Sequence, residues 1–595
     1  MGQFVTPLHS GRGWRWMAAV ALLGGTQGCG DPSAVEPPTL SITSPRSQDT
    51  ILAGDTVLLR VEVVGPGSPD PSSLEWATAW GRPLGRGDSV FTVLTDTGTY
   101  AIVALARDGA TVLATDRVTV TVIPNGAPVV AVEGLQDPCF VYITDTVRLV
   151  ARAADPESSA VRIEWWADGA GLIGEGDSLR WVPGPGAEGT RVIAARALDP
   201  QGNRDDALEI VRVLGGPLFK WARTYPAPGT ATDCGGTIGY SLPLALADDG
   251  TIRAGLRVAG YGSGASNYAA LLSLSTQGDV QWSFGTDQAP IEHWAGLVVA
   301  PDGRTYFANY DGVLHALSPD GTVLWSAEVL GNDWHGHPAL AADGALYVAG
   351  KDVIKTTTHT LTRIAPETGN VLWKLDRAIG CGGSNLGVRA DGHLSMTCAT
   401  WALDVLPDGT IARIDSLLTR FSYLHFQQSA HDREGVGYYP GGGGLRAFRS
   451  DHTDAWQIWI GNAEPVIGSD RAIYVPAGGG VHRLTPEGAV VWEAPLPASS
   501  PSSFTRMALL ADGTLWVGNG RFLTRLRAAT GERMAEVELT AAVSSGLVVA
   551  SDGTLYVIAG ANRIVAIAGG APLDPDAPWP VWRRDNRRTS SVNRP

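Results

Sequence analysis

The sequence predicts an all-β protein in which two tandem β-sandwiches precede a β-propeller of seven to eight blades, with eight preferred. The 74 glycines and 38 prolines among 595 residues are typical of many turns between short strands. A pattern of about 90 residues occurs twice before residue 214. From residue 240 onward, a turn followed by an apolar strand recurs at spacings of 36 to 53 residues, which is the blade length of a propeller.

The N-terminus has the order of an export signal. Two arginines precede a short apolar run over residues 16–23, and small residues then lead to Cys29. The run is too short to cross a bilayer, and the segment resembles a bacterial lipoprotein signal, in which the cysteine receives a lipid. We therefore predict a signal peptide over residues 1–29 with lipidation of Cys29. Thr26 and Gln27 match that signal imperfectly, so an ordinary secretory signal remains the alternative.

Residues 30–37 are short and polar and are predicted to be a tether. We expect an outer-membrane or cell-surface lipoprotein, with a periplasm-facing or secreted protein as the alternatives. Membrane contact is expected through the lipid alone. The formal net charge of -15 argues against nucleic acid as a partner, because such binding depends on Lys and Arg neutralising phosphates.

The two copies of the first repeat are predicted to be sandwiches over residues 38–124 and 125–214. Glu75-Trp76 of the first copy recurs as Glu164-Trp165 in the second. Each copy alternates apolar and polar residues between turns, and one tryptophan per copy is expected to fill the core. The copies resemble the immunoglobulin-like modules of bacterial surface proteins, which implies spacing or binding rather than catalysis.

Two features of these copies have a functional and a structural interpretation. The tripeptide Arg86-Gly87-Asp88 matches an integrin motif, but we interpret it as a hairpin turn, because its counterpart is Glu175-Gly176-Asp177. Three acidic residues could hold Ca²⁺, although we interpret them as turn formers and leave calcium as the alternative. They are Asp155, Glu157 and Asp199.

The propeller is predicted over residues 215–595. Its turns carry Asp-Gly or a related pair, as at Asp302-Gly303 and Asp552-Gly553, and a second signature places Gly four residues before Trp, as in Gly278 to Trp282. Glycine there supplies a positive φ, and the tryptophan can lie between neighbouring sheets. An isolated Trp strand near residues 218–223 is expected to complete the last blade and so close the ring.

Runs such as Asp552 to Val557 and Gly369 to Trp373 resemble the repeats of quinoprotein-like propellers with PQQ-like repeats. That family includes pyrroloquinoline-quinone (PQQ) dehydrogenases and the propeller lipoprotein of the outer-membrane β-barrel assembly machine. The resemblance covers about residues 217–595, although the segments 401–420 and 434–460 match poorly. It implies the fold more strongly than a function.

The dehydrogenase members imply a Trp platform, a Ca²⁺ site, an acidic base and often a disulfide between adjacent cysteines. This chain has no adjacent Cys pair and no haem motif, and no Asp can be matched to the base. We therefore predict no cofactor and no catalytic residues, with Ca²⁺ and PQQ as less favoured alternatives. The alternative of an enzyme stays open.

A ligand site remains possible at the mouth of the propeller funnel, where loops enter the innermost strands. Structural packing alone would favour small residues there, whereas several of these positions carry aromatic or imidazole side chains, which could hold a peptide, a sugar or a metal. Packing between blades is the competing interpretation. The candidates are Trp294, His335, His337, His425, Phe426 and Phe504.

Four cysteines follow Cys29, and an exported protein can oxidise them. Cys381 and Cys398 fall in one predicted blade and are the pair that we predict to form a disulfide, with free buried thiols as the alternative.

The sequence thus predicts an exported, lipid-anchored binding or scaffold protein that presents its propeller to protein or carbohydrate partners at the cell envelope. The alternatives are a quinone- or metal-dependent oxidoreductase that uses the funnel, and a scaffold for outer-membrane assembly.

Overall fold

The fold is described by a computed structural model, in which no described helix is long and apolar enough to cross a membrane. The described residues are 38–65, 70–133, 139–225, 243–259, 267–285, 296–308, 312–329, 337–352, 358–378, 385–398, 401–416, 429–441, 444–451, 453–460, 464–477, 479–497, 505–560, 562–581 and 583–592.

These residues form two compact units. The first comprises the described residues up to Ala127 with the turns Asp155–Ser159 and Asp199–Asn203, and the second comprises the others.

The first unit contains a sandwich of a three-stranded sheet, ordered β1-β3-β6, and a five-stranded sheet, ordered β2-β8-β7-β4-β5. Side chains of both sheets alternate into one buried core around Trp76. The elements are β1 (Thr39–Ser44), β2 (Thr50–Leu52), β3 (Thr56–Val64), a 3₁₀ turn (Pro71–Ser73), β4 (Leu74–Thr78), β5 (Pro83–Arg86), β6 (Ser89–Val93), β7 (Gly98–Asp108) and β8 (Thr111–Ile123).

The second unit begins with a sandwich that repeats this strand order, β9-β11-β14 facing β10-β16-β15-β12-β13. Its strands are β9 (Val129–Glu133), β10 (Cys139–Tyr142), β11 (Val147–Ala154), β12 (Arg162–Ala167), β13 (Gly171–Glu175), β14 (Ser178–Trp181), β15 (Gly189–Leu198) and β16 (Arg204–Leu214).

The duplicated tryptophans occupy equivalent places inside the two sandwiches. Trp76 donates its indole N–H to the carbonyl of Gly87 at 2.9 Å, and Trp165 donates to Gly176 at 2.9 Å. Both rings are buried.

The hairpin interpretation of Arg86-Gly87-Asp88 is wrong, because the tripeptide connects β5 to β6, which belong to different sheets. Gly87 there has a φ of +121°.

The rest of the second unit consists of eight four-stranded antiparallel sheets, so the all-β propeller fold predicted from the sequence is confirmed. We number the sheets 1 to 8, and the inner strand is the first of each. Sheet 1 consists of β18 (Leu244–Leu246), β19 (Ile252–Ala259), β20 (Asn267–Leu274) and β21 (Val280–Gly285), and sheet 2 of β22 (Leu297–Val299), β23 (Thr305–Ala308), β24 (Val313–Leu317) and β25 (Val323–Glu328). Sheet 3 consists of β26 (His337–Leu340), β27 (Leu346–Asp352), β28 (Thr358–Ile364) and β29 (Val371–Ala378), and sheet 4 of β30 (Asn385–Val388), β31 (Leu394–Cys398), β32 (Trp401–Val405) and β33 (Ile411–Ser416).

Sheets 5 to 7 follow the same order, and sheet 8 takes its outer strand from the start of the propeller. Sheet 5 consists of β34 (Ala430–His431), β35 (Gly437–Gly441), β36 (Gly444–Phe448) and β37 (Asp454–Ile458), and sheet 6 of β38 (Val466–Ile467), β39 (Ile473–Ala477), β40 (Gly480–Leu484) and β41 (Val490–Pro495). Sheet 7 consists of β42 (Arg506–Leu509), β43 (Thr514–Asn519), β44 (Phe522–Arg527) and β45 (Arg533–Glu538), and sheet 8 of β46 (Val548–Val549), β47 (Thr554–Ala559), β48 (Arg563–Ala568) and β17 (Phe219–Thr224).

The predicted ring closure is confirmed by β17, which pairs antiparallel with β48. Trp221 of β17 then donates its indole N–H to the carbonyl of Thr276 in sheet 1, at 3.1 Å. Sheet 8 is thereby joined to sheet 1 through residues that are distant in sequence.

A tryptophan on the outer strand joins most sheets to the next one. The ring of Trp282, for example, lies over Gly321 and donates to the carbonyl of Pro319 at 2.8 Å. Gly321 has a φ of +89°, and a Cβ there would lie 2.6 Å from the ring, so the site requires glycine. The same N–H bond is made to the following sheet by Trp325, Trp373, Trp456 and Trp492.

Two sheets make this joint with other residues. In sheet 4, Arg413 takes the tryptophan position and donates to the carbonyl of Asp451. In sheet 7 the position is held by Ala535, and the buried Trp516 of β43 instead donates to the carbonyl of Gly569 at 2.8 Å.

The second sandwich packs directly on the propeller within the second unit. Tyr142 stacks on Phe219 with ring centroids 5.0 Å apart, and its hydroxyl accepts the backbone N–H of Thr540 at 3.2 Å. Burial raises the pKa of Tyr142 to about 12. Arg563 forms an ion pair of 3.1 Å with Asp145, and both side chains are largely shielded from solvent. Aromatic, polar and ionic contacts therefore all hold this junction.

Candidate functional site

The axis of the propeller is filled by the chain itself. We call residues 577–592 the axial segment. Trp579, Val581, Arg583 and Arg588 of this segment are each at most 2% exposed. A segment of the chain itself therefore lies at the axis beside the described inner strands.

The axial segment follows the sheets around the axis in their own order. Its carbonyl groups accept backbone N–H bonds of 2.7–3.0 Å from the inner strands of six sheets, and the Asn586 side chain accepts one from a seventh. The donors and acceptors are Ile467 to Trp579 (sheet 6), Leu509 to Pro580 (sheet 7), Val549 to Asn586 Oδ1 (sheet 8), Leu246 to Asn586 (sheet 1), Val299 to Arg587 (sheet 2), Leu340 to Thr589 (sheet 3) and Val388 to Ser590 (sheet 4).

Two buried arginines of this segment bind carbonyl groups of the inner strands. Arg588 donates from Nε to Leu244 at 2.7 Å and from Nη2 to Leu547 at 3.0 Å. Arg583 donates from Nη1 to Leu297 at 3.1 Å, and from Nη2 to Pro338. Burial lowers the pKa of Arg588 to about 9 and that of Arg583 to about 10. The carbonyl acceptors offset part of the cost of removing these cations from water.

Sheet 5 contributes a ring contact to the same segment. Trp579 meets His431 edge to face, with centroids 5.9 Å apart, in a cluster that includes Ile467. Each of the eight sheets thus contacts the axial segment.

A cavity of about 530 Å³ lies beside the axial segment, next to the turns of sheets 1, 7 and 8. It is lined by charged side chains of both signs and by apolar side chains such as those of Leu246 and Leu573. Arg587 approaches Asp248 there at 3.5 Å, while Asp585 accepts the backbone N–H of Thr589 at 3.0 Å.

Most residues that the sequence offered as ligand-binding candidates lie outside the described residues. This applies to Trp294, His335, His425, Phe426 and Phe504, and also to Cys29 and Cys381. His337 begins β26 and Cys398 ends β31, but their side chains are not described. The proposed ligand site and the Cys381–Cys398 disulfide therefore stay predictions.

Cys139 forms a disulfide that the sequence interpretation did not assign. Its partner is not among the described side chains. Cys139 is buried in the core of the second sandwich. A spacing argument within one blade could not identify it, because Cys139 lies outside the propeller.

Each carboxylate considered for calcium accepts an N–H bond, but Asp155 Oδ2 is buried without a hydrogen-bond partner. Asp155 Oδ1 accepts the backbone N–H of Glu157 at 3.0 Å, and Asp199 Oδ1 accepts that of Asn203 at 2.8 Å. Such bonds are typical of turns that begin with Asp. Within the ranges given above, no group of three His, Cys, Asp or Glu side chains is arranged to hold a metal ion.

The described residues do not fit PQQ either. A flat cofactor on the axis requires an open space at the level of the inner strands, and the axial segment fills that space. We therefore derive no reaction through a quinone.

The outer strands carry exposed aliphatic side chains at a repeated position. On β25 these are Val323 and Leu324, which are 44% and 49% exposed, and on β29 they are Val371 and Leu372, which are 47% and 56% exposed. We call these four residues the outer pair surface. Both strands are edges of their sheets among the described strands, so the surface combines apolar side chains with a sheet edge.

Comparison with known proteins gives one family match. Residues 269–415 match the family model described as "Outer membrane protein assembly factor BamB". No curated protein sequence matches the chain.

Solved structures that resemble the chain include three propellers. BamB from Moraxella catarrhalis is 11% identical with a TM-score of 0.43, and the match covers 59% of this chain and 99% of that one. A quinohemoprotein alcohol dehydrogenase from Pseudomonas putida HK5 is 12% identical with a TM-score of 0.43, covering 60% and 77%. The Dos1 propeller is 10% identical with a TM-score of 0.41, covering 56% and 94%.

The family match lies in sheets 1 to 4, and the first three of these carry the glycine and tryptophan signature predicted from the sequence. The recognition of PQQ-like repeats is therefore confirmed for residues 269–415 of the β-propeller.

Proposed function

We propose that this protein is an exported, lipid-anchored scaffold of the cell envelope that binds a protein partner on the outside of its propeller. The observation that carries the proposal is the axial segment, which fills the axis and leaves the outer surface for partners. The description of the matched family, an outer-membrane assembly factor, supports a partner in the envelope.

We place the partner on the outer pair surface. An exposed sheet edge can accept an extended segment as an added strand, and exposed apolar side chains beside it supply specificity. Glu328 is exposed on β25, whereas Asp376 on β29 pairs with the exposed Lys374 at 3.8 Å. Together with the net charge of -15, Glu328 favours a partner segment that alternates apolar and basic residues.

Photo-crosslinking in cells tests this proposal. A photoreactive residue at Leu324 or Leu372 is expected to give the same discrete protein product. The matched control is Val491 on β41, which is 47% exposed and also precedes a tryptophan, but lies outside the family match. It is expected to give no such product.

The double variant Leu324→Asp, Leu372→Asp should lower the yield of a crosslink made from a third position, Val371, at least tenfold, because two apolar contacts are replaced by charges. Folding should be nearly unchanged, because both side chains are about half exposed. An undiminished yield, or a product sensitive to glycosidase but not to protease, would contradict a protein partner on this surface.

Lipidation at Cys29 has its own test. The mature protein extracted from membranes is expected to have an intact mass that includes lipid on Cys29, and Cys29→Ser should move to the soluble fraction. If the serine variant stays in the membrane fraction to the same extent as the natural chain, the lipid anchor is wrong.

A further inference from the structure

We infer that the inner ring of the propeller is a peptide-binding site in its own right, and that the axial segment is the ligand that the chain supplies to it. The ligand class is a peptide with a Trp-Pro pair followed by two arginines five residues apart, as at Trp579-Pro580, Arg583 and Arg588. Its chain turns at both arginines, which have φ values of +56° and +64°. This inference concerns the axis and is independent of the partner surface proposed on the outer strands.

Backbone recognition comes from the inner strands. Seven of them donate an N–H to the segment, and the acceptor positions advance along the segment as the sheets advance around the ring. A peptide that passes once around the axis therefore meets a donor on nearly every sheet. The contacts are single hydrogen bonds or isolated bridges to the inner strands. Turns separate them, as where the Arg584 N–H donates to the Val581 carbonyl at 2.9 Å.

Side-chain recognition comes from three positions of the segment. Trp579 fills an apolar site beside His431 and Ile467. Arg583 and Arg588 each reach carbonyl groups on two different sheets. A planar guanidinium can donate in two directions at once, whereas a lysine ammonium cannot reproduce that geometry.

The ring does not depend on the segment for closure, so the two can be separated. Closure is made by β17 on β48 and by the tryptophan joints between sheets. The segment is connected to sheet 8 through a turn in which Pro575 and Asp576 are exposed. Cutting this turn after folding should leave the ring intact with the segment bound noncovalently.

The experiment inserts a site-specific protease sequence between Pro575 and Asp576 of the full chain, at an exposed position where insertions are tolerated. After folding and cleavage, the C-terminal fragment is expected to remain with the protein in gel filtration. A fluorescent peptide of residues 577–592 should then exchange into the cut protein, followed by anisotropy. Uncut protein with the same insertion should take up none.

Specificity is tested with two altered peptides. The peptide carrying Arg583→Ala and Arg588→Ala should bind at least 100-fold more weakly, and a scrambled peptide of the same composition should not bind. Loss of the fragment without uptake of the labelled peptide, or equal binding of the scrambled peptide, would overturn the inference.

Hydrogen exchange on the unmodified chain decides the matter if the insertion prevents folding. The amides of Val299 and Leu340 are expected to exchange when the axial segment alone is released. The free energy of this opening should depend little on denaturant concentration, because the rest of the ring stays folded. Exchange of these amides solely through global unfolding would overturn the inference.

Discussion

Arg588→Ala should destabilise the propeller by about 3–5 kcal/mol. The substitution removes a fully buried guanidinium and leaves the carbonyl groups of Leu244 and Leu547 without their donor. Arg588→Lys should recover only a minor part of the loss, because one ammonium cannot span both sheets. Urea unfolding followed by tryptophan fluorescence measures the effect as a lower midpoint.

The control for this prediction is Arg527→Ala. Arg527 pairs with Glu532 at 2.9 Å, but its side chain is 48% exposed, so the change should be at most about 1 kcal/mol. Equal midpoints for the Arg588 and Arg527 variants would show that the bonds at the axis add little to stability.

Trp516→Ala is expected to destabilise by about 3–5 kcal/mol, the range for removing a large aromatic side chain from a core. Trp516 is fully buried, and its N–H bond to Gly569 replaces the outer-strand tryptophan that sheet 7 lacks. The joint between sheets 7 and 8 should therefore loosen first. The loss is measured as the difference in urea unfolding midpoint between the variant and the natural chain. The comparison requires that the unfolding free energy of both depends equally on urea concentration.

A matched aromatic control is available in Trp459, which is 59% exposed. Trp459→Ala should change stability by no more than about 0.5 kcal/mol. If both tryptophan variants unfold at the same urea concentration, the joint at Gly569 is not a determinant of propeller stability.

The propeller could be predicted from the sequence because its signals are local and repeated. The joint between Trp282 and Gly321 requires a residue with a positive φ and no side chain beneath the ring. Both requirements recur at each joint that an outer-strand tryptophan makes. The weakly matching sheet 4 differs for a physical reason, since Arg413 makes its joint by hydrogen bonding instead of by ring stacking. Sheet 7 moves its tryptophan to another strand, which a search at fixed spacing cannot find.

The axial segment could not be predicted in the same way. Its bonds join residues hundreds of positions apart, as between Arg588 and Leu244, and the segment shares no repeat with the sheets. The only local signal was the high density of arginines after Trp579, in a stretch that follows the last repeat. Charge of that kind ordinarily indicates exposure, whereas here carbonyl groups at the axis provide acceptors for it.

The junction of the second sandwich with the propeller also determines how the molecule carries load. Only residues 215–218 separate β16 from the closing strand β17. A pull on the sandwich would peel β17 from β48 one bond at a time if that linker were the sole connection. The ion pair of Asp145 with Arg563 and the Tyr142 contact with Thr540 provide a second, parallel path into the body of the ring. Tension applied to the second sandwich would thereby be shared between this seam and the body of the ring.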